Sequence, residues 1–365
     1  MAVALRLARR GPGTVWPNPA VGCVLVRPDL EGRIVGRGWT QPGGRPHAET
    51  EALARAGDLA RGATAYVTLE PCCHTGQTGP CSEALIAAGI KRCVVALEDP
   101  DPRVSGGGIK ALRAAGVEVS VGTGDAEAAD ILAGFLMHRR HGRPLVTLKM
   151  AASLDGRIAA MNGDAKWITG EAARARAHLM RAEHDALMVG IGTVLADDPE
   201  LTCRLPGMAG RSPVRVVLDS RLRTPADGRL ARTIAQAPLW VLTTADPEAP
   251  AGKALAAAGA RLMRVAAGPD GRPDPEAVLA RLAVEGITSL LVESGGGVAG
   301  AFVAAGLVDR VAWFRAPLLL GADGVAAIGP LAVSAVARAP RFVRRSVEQL
   351  GPDLLEILAV AAAKE

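Results

Sequence analysis

Three of the chain's six cysteines fall in the stretch EPCCHTGQTGPC, which runs from Glu70 to Cys81. Upstream, HAETEALARAG opens an Ala/Leu-rich helix with His47, one spacer and Glu49. Six cysteines in 365 residues are too few for a disulfide scaffold, so their clustering points to metal or catalysis. Zinc takes tetrahedral nitrogen and thiolate ligands, and a catalytic zinc keeps one position for water. His47, Cys72 and Cys81 supply three such ligands. A fold that uses them must bring two helix starts and one strand end to a single point, and no other feature limits the topology as tightly. Cys81 follows Pro80 and opens a helix, whose positive end favours a thiolate. Glu49, two residues beyond His47, can lie beside the metal without ligating it and carry a proton from water to a leaving amine. Zinc deaminases use this order: His-x-Glu, then Pro-Cys, then a second cysteine. Here eight residues separate Cys72 from Cys81, in place of the Cys-x-x-Cys spacing usual in nucleotide deaminases. Cys73 and His74 compete as ligands, and a closed structural zinc site with His74 as fourth ligand is the plainer alternative.

Around these residues the chain alternates apolar strands and helices. AVGCVLVRP and GRIVGRGW read as a hairpin, followed by a helix over Glu49–Ala56. ATAYVTLEP, RCVVALEDP and VEVSVG read as strands, with helices in CSEALIAAG and GIKALRAAG between them. This rhythm predicts α/β layering. At 365 residues two domains are the default, and ILAGFLMHRRHGRP ends a helix in a basic Gly/Pro joint. The boundary is therefore placed near residue 143, giving units 1–143 and 144–365. In the second unit LVTLKMAAS, DALMVGIGTV, VRVVLDS, LWVLTT, RLMRVAAG, SLLVESGG and RVAWFRAPLLLG read as strands, and one strand pair is expected after Gly300. ADPEAPAGK and GPDGRPDPE read as surface loops.

Net charge of +5 suits an anionic substrate or cofactor, and 3% aromatics argue against a base-stacking nucleic-acid platform. No apolar run approaches the ~20 residues of a membrane span. The opening MAVALRLARRG reads as a short helix without a secretory cleavage site, so a cytoplasmic protein is expected.

WPNPAVGCVLV, PHAETEAL, LEPCCHTGQTGPCSEALI and EDPDPRVSGGGIKALRAAGVEV together resemble the deaminase half of the bifunctional riboflavin-biosynthesis deaminase/reductase family. In that family the long cysteine spacing is the rule. The resemblance implies a cytidine-deaminase-like fold, with zinc on His47, Cys72 and Cys81 and Glu49 as proton shuttle. It implies that Asn18 holds the pyrimidine ring, that His74 faces substrate, and that Cys73 packs. The chain departs from the family at Thr40, where His is common, at Gln77, where Lys or Arg is common, and at Gly107, where Arg is common. Each departure removes a polar or phosphate contact. Arg45 and Arg103 could stand in, although a solvated arginine is the commoner case.

In the second unit Gly295, Gly297 and Gly300 have G-x-G-x-x-G spacing between a strand and a helix, where backbone N–H groups can cradle a pyrophosphate. A Rossmann unit would place that motif early, so another α/β fold fits better; a tight structural turn is the alternative. Asp219, Ser220 and Arg221 end a strand where Ser and Arg could hold a 2′-phosphate, favouring NADPH, with a plain polar loop the alternative. Lys149, Asp197, Asp198 and Arg204 cluster beside apolar strands, although Asp197 could simply cap a turn. KMAASLDGRIA, KWITG, GIGTVLADDPELTCR, VRVVLDS and LLVESGGGVAGAF resemble, in order, the reductase half of the same family, which implies a dihydrofolate-reductase-like fold. By that resemblance Ala151, Trp167, Thr193, Asp197 and the loop Gly295, Gly296, Gly297, Val298, Ala299, Gly300, Ala301 contact NADPH. Arg181, Leu201, Arg204 and Glu293 contact the ribose-phosphate substrate, with Lys149 nearby. Ala165 stands where the family often has Ser, and VESGGG replaces VEGG.

The resemblance implies two reactions in sequence. A diaminopyrimidinone phosphoribosylamine is hydrolytically deaminated, and its sugar is then reduced by NADPH to a ribityl chain. The expected partners are small phosphoribosylaminopyrimidines and a second copy of the chain, in a homo-oligomer, with no nucleic acid or membrane. Two rivals remain: a tRNA or nucleoside deaminase with an unrelated tail, and a zinc-stabilised binding module.

Overall fold

Four consecutive residues of Gly22–Arg27 (β1), from Gly22 to Leu25, are buried, because this strand lies inside a sheet covered on both faces. The structure, a computed structural model, describes residues 1–75 and 79–361. Two compact units, Met1–Arg143 and Pro144–Glu365, make up the chain.

The first unit begins with helix Ala2–Ala8 (α1). Strand β1 pairs antiparallel with Arg33–Trp39 (β2) and with Thr64–Val67 (β3). Arg92–Val95 (β4) and Glu118–Val121 (β5) continue in parallel, in the order β2-β1-β3-β4-β5. Helices Ala48–Ala56 (α2), Cys81–Ala87 (α3), Gly107–Ala114 (α4), Asp125–Ile131 (α5) and Ala133–His141 (α6) complete it. Helix α2 buries Ala48, Ala52 and Ala56, an i, i+4 stripe of small residues in the main core cluster. Leu25, Leu85 and Leu112 are wholly buried there, each contributing about 1.5–3 kcal/mol.

The second unit holds a nine-stranded sheet ordered β11-β10-β9-β8-β12-β6-β13-β16-β15. Its strands are Leu145–Ala152 (β6), Ala186–Gly190 (β8), Val214–Leu218 (β9), Leu239–Thr243 (β10), Arg261–Arg264 (β11), Ser289–Val292 (β12), Arg310–Arg315 (β13), Phe342–Leu350 (β15) and Asp353–Val360 (β16). Pairing is parallel from β11 to β13 and antiparallel at β16 and β15. Arg157–Ala159 (β7) and Val325–Ala326 (β14) form a separate pair. The helices are Glu171–Ala182 (α7), Ile191–Asp197 (α8), Arg229–Arg232 (α9), Pro250–Ala257 (α10), Pro275–Val284 (α11) and Gly296–Ala304 (α12). The strands β8, β9 and β10 are buried at every residue, as expected for parallel strands covered on both faces.

Two readings need correction. DALMVGIGTV is a strand only to Gly190; Ile191 opens α8, and its β-branched composition had suggested a longer strand. Four strands follow Gly300, not one pair, because seven consecutive residues of β15 are exposed and carry no period-two signal. No helix among the described residues is long and apolar enough to cross a membrane.

Candidate functional site

His47 stands immediately before α2 in extended backbone (φ −70°, ψ 160°), so Glu49 falls in the first helical turn. Cys81 is the first residue of α3, and Cys72 lies in the loop beyond β3. The fold brings all three ligand candidates together. His47 Nδ1 is 3.7 Å from Cys72 Sγ and 3.3 Å from Cys81 Sγ, and the three atoms lie within 4.8 Å of one another. A tetrahedral zinc at usual bond lengths separates sulfur from nitrogen by roughly 3.6 Å, so the donor set fits that ion in both chemistry and spacing. The Cys81 backbone N–H donates to Cys72 Sγ at 3.3 Å. Cys72 is drawn down to about 4, first by its hydrogen bond with Cys81 and then by His47, against its burial. The same hydrogen bond, together with burial, pushes Cys81 up.

Glu49 is buried at 4% exposure. Burial, followed by the charge of Cys72, pushes its carboxyl up to about 7, suited to giving and taking protons near neutral pH. A cavity of about 80 Å³ joins Glu49 and His47 to Asn18, Thr40, Cys72 and His74. His74 Nδ1 is buried there with no hydrogen-bond partner among the described residues.

Two family departures have structural reasons. Thr40 donates to the Pro19 carbonyl at 2.9 Å and accepts from the Val21 N–H at 3.0 Å, so it joins two segments of the cavity wall. At Gly107 an added Cβ would lie 2.7 Å from Cys73 Sγ, so the sulfur takes the space a side chain would need. Gln77 lies outside the described residues. Sequence reasoning missed Glu70. Its buried carboxylate accepts from the N–H groups of Asp99 (3.1 Å), Gly106 (3.0 Å) and Ile109 (3.0 Å), closing the loop that carries Asp101 and Arg103.

The second unit has a cavity of about 1030 Å³ at the carboxyl ends of β6, β8, β9 and β12, the usual ligand position in an open parallel sheet. Ala151, Ala165, Thr193, Asp197, Ser220, Gly295, Gly296, Gly297, Val298 and Ala301 line it, as do Lys149, Arg181, Leu201 and Glu293. An added Cβ at Gly295 or Gly297 would meet open space, leaving that backbone free to approach a pyrophosphate. Leu201 sits in the left-handed region (φ 57°), a strain of about 1 kcal/mol or more for a branched residue. Arg181 grips Glu293 through two bonds of 2.9 Å, and Lys149 Nζ lies 3.8 Å away. Burial opposes the Glu293 charge, yet Arg181 and Lys149 hold it down to about 2. Burial also lowers the Lys149 ammonium.

Five expected contacts lie away from this wall. Trp167 is 70% exposed and stacks under the Arg174 guanidinium, 4.5 Å from the ring centroid. Arg204 points outward to Glu200 at 3.8 Å. Ala299 and Gly300 are buried, and a Cβ on Gly300 would press the Gly329 backbone at 3.2 Å, so that glycine serves helix packing. Arg221 is exposed and outside the cavity, while Arg223, unnoticed in the sequence, lines it with Ser220. The turn is set by buried Asp219, which accepts from the Thr224 N–H and hydroxyl at 2.7 and 2.8 Å. Ser294, also missed, accepts from the Gly190 N–H at 3.0 Å and ties β12 to β8.

Fold and site define a class: a cytidine-deaminase-like zinc-binding unit followed by a dihydrofolate-reductase-like reductase unit. Residues 144–355 match the family model for the RibD C-terminal domain, and residues 1–97 match the cytidine and deoxycytidylate deaminase zinc-binding region. Riboflavin biosynthesis protein RibD of Bacillus amyloliquefaciens is 43% identical, over 97% of this chain and 94% of its own. The Escherichia coli K12 protein of the same name is 40% identical, over 97% and 96%. Among solved structures, Acinetobacter baumannii RibD (form 1) superposes with a TM-score of 0.88 at 38% identity, covering 99% of this chain and 97% of that one. The Thermotoga maritima diaminohydroxyphosphoribosylaminopyrimidine deaminase/5-amino-6-(5-phosphoribosylamino)uracil reductase does so at 0.83 and 34%, with the same coverage. The chain belongs to the RibD family of bifunctional deaminase/reductases of riboflavin biosynthesis.

Proposed function

We propose that Met1–Arg143 deaminates 2,5-diamino-6-(5-phosphoribosylamino)pyrimidin-4(3H)-one and that Pro144–Glu365 reduces the product's ribose to the ribityl form. The observation that carries the first assignment is the meeting of His47, Cys72 and Cys81 beside a buried carboxylate two residues from the histidine. His47, Cys72 and Cys81 would hold zinc, which when bound supplies a Lewis acid that makes water a nucleophile near neutral pH. Glu49 takes a proton from the attacking water and returns it to the departing 2-amino group, which leaves as ammonia. Asn18 and the unpartnered His74 Nδ1 hold the ring.

In the second unit NADPH, when bound, supplies the hydride for C1 of the opened sugar. The N–H groups from Gly295 to Gly297 would hold its pyrophosphate, and Ser220 with Arg223 its 2′-phosphate. Thr193, Asp197 and Ala151 would complete the cofactor wall. Lys149, Arg181, Leu201 and Glu293 would position the sugar, with Arg181 held by Glu293 and by the Thr202 carbonyl.

The homo-oligomer and the cytoplasmic location belong to the same proposal. The open edge of β15 exposes Val343 and Val347, which supports a second copy, and all six cysteines are free, which supports a reducing compartment. The test supplies the diaminopyrimidinone with and without NADPH and follows ammonia and nicotinamide absorbance together. Ammonia without NADPH, and NADPH oxidation only after it, is expected; oxidation without prior ammonia release would overturn the order.

A further inference from the structure

Three guanidiniums line the deaminase cavity, and ring chemistry gives them no role. Besides the zinc ligands and Glu49, its charged lining is Arg45, Arg103, Arg139, Glu70, Asp99 and Asp101. Asp101, 7% exposed at its side chain, is gripped by Arg103 through Nη2 (2.6 Å) and Nε (3.0 Å), and Arg139 Nε lies 3.5 Å from it. Two guanidiniums thus converge on one carboxylate, and Glu70 pins the loop bearing Asp101 and Arg103. Among the described residues Nη1 of Arg103 and both Nη atoms of Arg139 have no hydrogen-bond partner. Arg139 comes from α6, with its guanidinium 5.4 Å from the ring centroid of Phe135, another cavity residue. Gly107 brings no side chain to this loop, and Cys73 fills the space where one would start.

We infer that Arg139 and Arg103, aligned by Asp101, bind the phosphate monoester of the deaminase substrate. This rests on the deaminase reading of the first unit and adds the residues that select a phosphorylated substrate in this chain. A phosphate accepts several hydrogen bonds at once from guanidinium forks, and the free Nη groups are the donors it needs. Asp101 is a positioning residue: it holds the two forks without touching the reacting atoms.

The test uses the full-length, zinc-loaded protein and compares ammonia release from the phosphorylated substrate and from its dephosphorylated riboside. In Arg139→Gln and in Arg103→Gln the preference for the phosphorylated form, as a ratio of kcat/KM, should fall 10- to 100-fold, with the loss carried by KM. Arg139→Lys should retain part of the preference. Inorganic phosphate should inhibit the wild type competitively and the Gln variants more weakly. A ratio unchanged in both Gln variants, however far the two activities fall together, would overturn the inference and leave the deaminase reading standing. A wild-type protein that releases ammonia from neither substrate would overturn both.

Discussion

Glu70 makes the sharpest structural prediction. Its Oε2 accepts from the N–H groups of Asp99 (3.1 Å) and Gly106 (3.0 Å), and its Oε1 from that of Ile109 (3.0 Å). The side chain is 3% exposed, so water cannot readily replace it. Glu70→Ala strands three donors at about 1–3 kcal/mol each, or about 3–6 kcal/mol once the loop relaxes. Glu70→Gln can place its amide oxygen where Oε2 was and keep two of the bonds, while its NH2 faces the Ile109 N–H; the cost is about 1–3 kcal/mol. Amide hydrogen exchange in β3 and β4 reports the first unit alone. Protection there should fall about 100- to 10,000-fold for Ala and about 10- to 100-fold for Gln, since about 1.4 kcal/mol is one factor of ten. Deamination should weaken in the same order, while NADPH oxidation on deaminated substrate persists. Equal effects of the two variants, or changes below about 1 kcal/mol for both, would refute the reasoning.

The other expectations concern both units. Glu49→Gln should retain zinc by metal analysis while ammonia release drops about 100- to 10,000-fold, because proton transfer fails; unchanged release would remove Glu49 from the mechanism. Chelation of zinc should stop ammonia release and spare NADPH oxidation on pre-deaminated substrate, and loss of both with the fold intact would contradict two separate sites. Arg223→Ala should raise KM for NADPH about 10- to 100-fold with little change for NADH, the size expected for losing a charge-assisted phosphate contact; an equal change for both cofactors would argue against it. His184 has Nδ1 2.7 Å from the Met180 carbonyl and Nε2 3.1 Å from Thr147 Oγ1, and burial holds its imidazole down to about 4. The unfolded chain protonates this group near 6.5, so its stabilising contribution is complete above about pH 6.5 and is lost as pH falls to about 4, roughly 3 kcal/mol in all. Urea unfolding of the second unit, followed by hydrogen exchange in β6 and β8 across that range, should show this slope, and His184→Gln should reduce it, leaving the part due to His178, which burial also lowers to about 4.

The chain order of motifs made much of the molecule legible. Short contiguous patterns report local chemistry: His-x-Glu before an alanine stripe, Pro-Cys at a helix start, and β-branched runs in parallel strands each kept their meaning in the fold. The hairpin β1–β2, the helices α2 to α4 and the strand set from β8 to β12 follow from such patterns. Strand β15 did not, because an edge exposed on both faces has no hydrophobic alternation to display. Neither Glu70, Ser294 nor Arg223 could be singled out, since each acts across a loop whose closure no local pattern encodes. Gly300 shows the converse: its spacing matched a nucleotide motif, while its surroundings assign it to packing against Gly329. Residue types and their order thus determined which reactions this protein can attempt. Tertiary structure alone decided which charges face the two cavities, because side-chain direction depends on turns, caps and packing partners that lie far apart along the chain.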